Sequence, residues 1–125
     1  MAQTIVTSQA PGAIGPYSQG MKAGSFVFTS GQLPINMKTG ALETDDIQAA
    51  TRYCLENIRA ILETAGLSLS RVVKITVFMT NLGDFSAMNE AFAPFFPGNP
   101  PARSCVQVAA LPKSAAIEIE AVACS

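Results

Sequence analysis

Arg103 and Cys105 stand two residues apart in "NPPARSCVQV" (99–108), and Glu118 and Glu120 stand two apart in "AAIEIEAVAC" (115–124). On a strand that spacing puts each pair on one face, with Ser104 and Val106, or Ile117, Ile119 and Ala121, on the other. A guanidinium takes a carboxylate in a two-pronged grip that an ammonium cannot copy. A carboxylate close by can orient a water. Ionised groups on such apolar strands need a partner, a ligand or solvent. Two readings follow. In one, Arg103 pairs with Glu118 or Glu120 in a salt bridge across a subunit interface. In the other, the guanidinium stays free for a substrate carboxylate and one glutamate holds a water. Both can be true, with one acid structural and the other catalytic.

Other candidates carry weaker chemistry. The chain has no histidine, so Cys105 lacks the imidazole that usually activates a thiol, and a small packed thiol near a site is the simpler reading. Cys54 reads as core and Cys124 as terminus. Tyr17, in the loop "AIGPYSQG", can send its hydroxyl inward or simply anchor the loop by its ring. Ser30 and Gly31 in "FTSGQLP" end a strand with a hydroxyl and an adaptable backbone, which suits a small anion. Asn89 and Phe92 in "GDFSAMNEAF" lie on a helix, as contact or as packing. The glycines form no phosphate loop or dinucleotide fingerprint. Without histidine or Cys-x-x-Cys, a zinc site has little to be built from, and neither a metal nor a cofactor is expected.

These residues need elements to place them. "TIVTS" and "SFVFTS" (25–30) read as strands, and Gly31, Pro34 and Gly40 mark a loop and turn after them. From Asp45 the period becomes helical: Ile47, Ala50, Cys54, Ile58, Ile61, Leu62 and Ala65 make one stripe, opposite Arg52, Glu56, Arg59 and Glu63. Thr44 or Asp45 can cap this helix, and Gly66 can end it at positive φ. "RVVKITVFMTNL" (71–82) is a strand with Val73, Ile75, Val77 and Met79 on one face. Asp84 is positioned to cap a second helix, "FSAMNEAFAPFF", ended by Pro97-Gly98. "ARSCVQVAAL" and "AAIEIEAVACS" close the chain as strands. The order is ββ, then β-helix-β-helix-β, then β. Two helices cannot cover both faces of a six-stranded sheet, so both belong on one side and the other face meets water or another subunit.

Composition narrows the setting. At 125 residues the chain fits one domain, 1–125. Its mean hydropathy of +0.31 is high for a monomer, yet no run reaches the ~20 apolar residues of a membrane span. The excess is expected to meet other copies of the chain. Eight basic residues against nine acidic ones, scattered, make no stripe for nucleic acid or anionic lipid. The start lacks the charged and apolar regions of an export signal. Three cysteines without a close pairing suit a reducing, cytoplasmic location.

Together, "AIGPYSQG", "FTSGQLPIN", "LENIRAILETAG" and "PARSCVQVAALPKSAAIEIEAVA" resemble the RidA (YjgF) family of 2-iminobutanoate/2-iminopropanoate deaminases, in order and across essentially the whole chain. The block from Pro101 to Ala123 is the specific one. One position departs: Pro100 precedes "PAR" where relatives often carry an aromatic residue. The resemblance implies an α+β, chorismate-mutase-like fold, with a six-stranded mixed sheet, two helices on one face and a homotrimer built around a central β-barrel. It implies sites in clefts between subunits, where enamine and imine acids become 2-oxo acids and ammonia without a cofactor. It maps the carboxylate clamp onto Arg103 and the water-holding acid onto Glu118. Tyr17, Ser30, Gly31, Asn89 and Cys105 are then substrate-binding positions, and Glu120 matches a second acid with no assigned role. The rival readings are a trimer that binds 2-oxo acids without turning them over and an endoribonuclease. Against the latter stand the missing histidine and the lack of an aromatic-basic stacking surface.

Overall fold

A computed structural model describes residues 2–125. The elements are β1 (Gln3–Ile5), β2 (Gly20–Ala23), β3 (Phe26–Thr29), α1 (Ile47–Thr64), β4 (Val72–Met79), α2 (Phe85–Phe92), β5 (Ala102–Gln107) and β6 (Ile117–Cys124). The six strands form one mixed sheet in the order β1-β2-β3-β6-β4-β5. Only β4 and β5 run parallel, and α2 lies in the crossover that joins them.

Alternation along the strands divides the sheet into two unlike faces. Ile75, Val77 and Met79 of β4 and Ile117 and Ile119 of β6 are wholly buried against Cys54, Leu55, Ile58, Ile61 and Leu62 of α1 and Met88 of α2. Each such large side chain contributes about 1.5–3 kcal/mol by leaving water, which is what fixes the helices to this face. The opposite face carries Phe26, Phe28, Phe78, Glu118, Glu120 and Val122 in register. Phe26 and Phe28 each keep 45% of their surface in solvent, and Val106 of β5, opposite Phe78, keeps 43%.

Five local features differ from the sequence reading. β2 consists of Gly, Met, Lys and Ala; it is extended because β1 and β3 pair with it on both sides, not because its residues favour strand. Asp46, rather than Thr44 or Asp45, caps α1: its carboxylate accepts from the amides of Gln48 (2.9 Å) and Ala49 (3.2 Å). A bulge between Val72 and Lys74 turns Val72 inward and Val73 outward, reversing the expected pair. Asp84 occupies the N-cap position of α2 but makes no capping bond, because a 3-10 turn at Leu82–Asp84, held by Asn81, leads into the helix instead. α2 itself stops at Phe92, before a second 3-10 turn that contains Pro94. The expected end of α1 is present: Gly66 has φ +82°, and the Leu67 amide reaches back to the Leu62 carbonyl at 2.9 Å. No helix among the described residues is long and apolar enough to cross a membrane.

Candidate active site

Glu118 is built into a cleft by backbone pairing from far along the chain. Past the end of β3, Gln32 exchanges two hydrogen bonds with Ile119, its amide donating at 2.7 Å and its carbonyl accepting at 3.1 Å. That bridge brings Gly31 flush against the neighbouring Glu118 side chain. A Cβ on Gly31 would lie 2.5 Å from Glu118 Oε2 and 2.8 Å from its Cδ. Only a residue without a side chain leaves the carboxylate where it is.

The rest of the cleft is pinned by buried amides. Gln19, 4% exposed, accepts from the Thr7 amide at 2.7 Å and donates to the carbonyls of Thr7, Ala10 and Pro11 at 2.8–3.2 Å. The Ser30 amide donates to the Gln19 carbonyl (2.9 Å), and its hydroxyl donates to the Ser18 carbonyl at 2.6 Å. From α1, the Asn57 side-chain amide donates to the carbonyls of Leu33 (3.3 Å) and Ile35 (3.1 Å), fixing the far wall. The result is a cavity of about 370 Å³ lined by Tyr17, Ser30, Gly31, Leu33, Lys113 and Glu118, among others. Lys113 and Ser114 both hold φ 58°, a left-handed conformation costly for residues with a Cβ. Burial raises the proton affinity of Glu118 above the usual carboxylate range, and the charge of Glu120 adds to it. The thiol of Cys54 is pushed far up by burial and then by Glu118, so it is no nucleophile.

Arg103 belongs to a different neighbourhood. The parallel register places it opposite Ile75, and Cys105 opposite Val77, so both lie on the helix face. The guanidinium carbon sits 4.9 Å from the ring centre of Phe92 and 5.5 Å from that of Phe85. Its Nη1 lies 4.0 Å from the Met88 sulfur. Among the described residues no carboxylate comes within ion-pair distance of it, the one such pair being Arg59 with Glu56. Asn89 shares the stripe of α2 that includes Phe85, Met88 and Phe92. Cys105 Sγ is 3.7 Å from Met79 Sδ, and burial raises its thiol pKa although Arg103 opposes the shift, so it stays a protonated packing group at neutral pH.

The expected site residues thus form two groups. Tyr17, Ser30, Gly31 and Glu118 share one cleft. Arg103, Cys105 and Asn89 gather beside α2, on the opposite face of the sheet and across β4 from Glu118. Within one chain the two groups do not meet. Gln19, Gln32, Asn57 and Lys113 escaped the sequence reading. For Gln19, Gln32 and Lys113 an adjacent glycine or proline was the available signal, whereas Asn57 carried none; the burial of the three amides follows from tertiary pairing. A larger groove, about 590 Å³, runs along the outer side of α1. Two pairs of its polar groups already bond each other: Asn36 Nδ2 donates to Tyr53 Oη at 3.1 Å, and Arg59 Nη1 donates to Glu56 Oε1 at 2.6 Å.

Known proteins share this architecture. The family described as endoribonuclease L-PSP matches residues 7–125. The 2-iminobutanoate/2-iminopropanoate deaminase of Salmonella typhimurium is 52% identical over 98% of both chains. The crystal structure of Escherichia coli TdcF with bound serine superposes with a TM-score of 0.92 at 49% identity, covering 98% of each chain. RidA from an Antarctic Psychrobacter superposes with a TM-score of 0.93 at 46% identity, over 98% of this chain and 99% of that one. On this likeness in sequence and in fold, the chain belongs to the RidA (YjgF) family, whose family description is endoribonuclease L-PSP.

Proposed function

We propose that the protein hydrolyses short 2-imino acids, 2-iminopropanoate and 2-iminobutanoate, to 2-oxo acids and ammonia, in the cytoplasm and as a homotrimer. The observation that carries this reading is the 52% identity, over 98% of both chains, to a protein named for that reaction. The geometry agrees with it. Among the described residues Arg103 has no carboxylate partner to displace, and Glu118 has a cavity in front of it.

The reaction asks little of a protein. Water adds to the C=N carbon, a proton passes to nitrogen, and the C–N bond of the tetrahedral adduct breaks to release ammonia and leave C=O. Arg103 grips the substrate carboxylate and so fixes the carbon. Glu118 orients the water and takes its proton, a role in which a pKa raised by burial makes the carboxylate a stronger base. Tyr17, Ser30, Gly31, Asn89 and Cys105 complete the walls. Since the two groups occupy opposite faces of one sheet, a complete site needs Arg103 from one copy and Glu118 from the next. The exposed Phe26, Phe28 and Val106 give the open face an apolar surface for the contact between copies.

The test couples a serine/threonine dehydratase to the protein and follows 2-oxo acid formation. The parent should exceed spontaneous decay, and Arg103→Ala should fall to background with its native mass unchanged. A parent no faster than decay that still binds pyruvate would make this a binding protein. A parent without either property would refute the assignment.

A further inference from the structure

We infer that Phe85 and Phe92 are positioning residues for Arg103: their ring faces hold the guanidinium in place while leaving most of its N–H fork to a carboxylate. This rests on the reading in which Arg103 is the substrate clamp. Residues 85, 88 and 92 fall on one stripe of α2, and β5 carries Arg103 past it. Both guanidinium-to-ring distances, 4.9 and 5.5 Å, lie inside the range of about 6 Å over which a cation is attracted to an aromatic face. Met88, fully buried, accepts a long N–H···S contact from Nη1 at 4.0 Å, which engages one N–H of the guanidinium and leaves the others to a ligand.

An arginine in such surroundings is ordinarily balanced by an acid. An acid here would occupy the same two N–H prongs that a substrate needs. The quadrupole of a ring attracts the cation at its face but supplies no carboxylate oxygens to take both prongs of the fork. Aromatic faces therefore offset the charge without competing for the ligand, and a group held in place beforehand loses less freedom when the ligand arrives. Carboxylate binding is shared by the ground and transition states, so loosening it should act on KM more than on kcat.

Phe92 is only 6% exposed, whereas Phe85 is 37% exposed, so position 85 separates this role from folding. Mono-, di- and trifluorophenylalanine at 85 keep the ring shape and weaken its face stepwise. KM for the imine and Kd for pyruvate should rise in step, by about two- to fivefold overall, with kcat nearly constant. Phe85→Leu should match the trifluoro variant, and Phe85→Trp should restore the parent values. The Arg103 Nε–H resonance should carry an upfield ring-current shift that Phe85→Leu reduces. Flat KM and Kd across the series in an active parent overturn this inference alone. A parent that neither turns over imine nor binds pyruvate overturns it together with the deaminase reading.

Discussion

In the role proposed for it, Glu118 would serve chemistry at the expense of stability. Its pKa is raised in the folded chain, so the native state holds its proton more tightly than the unfolded state does. Stability therefore falls as pH rises through the interval between the ordinary carboxylate value and the raised one, and neutral pH lies on the unfavourable side. Glu118→Gln should leave the melting temperature unchanged or higher at pH 7, while kcat drops by about 100-fold or more. The acid limb of the parent kcat/KM profile should lie above the usual carboxylate range and vanish in the variant. A lower melting temperature with full activity would refute both the environment and the role. Gly31→Ala tests the same contact from the other side. The added methyl meets the movable end of Glu118 rather than backbone, so stability should change by less than about 1 kcal/mol while kcat falls severalfold. Calorimetry and steady-state kinetics on the one variant check both halves. The facing of Arg103 with Cys105, and of Glu118 with Glu120, was legible from alternation alone. That Gly31 abuts Glu118 was not, because the Gln32–Ile119 bridge joins segments far apart in sequence.

Between single residues and the molecule stand the elements, and here the local code was partly readable. The helical period of α1 and the alternation of β3, β4, β5 and β6 follow from apolar spacing, and the structure has them there. β2 lacks β-branched residues and owes its state to two neighbours, while the bulge at Val72 moves two valines to the faces opposite those that strict alternation assigns. Gln19 matters at this scale, since its side chain ties the 7–11 segment to the start of β2 and so sets the loop that bears Tyr17. Gln19→Ala strands the buried Ala10 carbonyl and the half-buried Thr7 amide, which should cost about 1–3 kcal/mol. Thermal unfolding should show that loss, and KM should rise because one wall of the cleft loosens. An unchanged KM with reduced stability would mean that the loop is fixed by other contacts.

At the scale of the whole molecule, the sheet is protected on one face only. The helices bury the face that carries Ile75, Ile117 and Ile119, and the other leaves two phenylalanines and a valine half in solvent beside Glu118 and Glu120. The division of the candidate site follows the same geometry: the arginine lies with the helices and the glutamate with the open face. Composition hinted at association through high mean hydropathy, but no spacing rule shows which face of one copy meets which edge of another. The proposed trimer makes a site from Arg103 of one copy and Glu118 of its neighbour. Mixing Arg103→Ala with Glu118→Gln, each inactive alone, and allowing the copies to exchange tests this directly. Randomly mixed rings that pair residues between neighbours should regain about a quarter of the parent activity, since mixed trimers carry one intact site of three. Activity that stays at background after exchange, verified by native mass, would contradict the shared site.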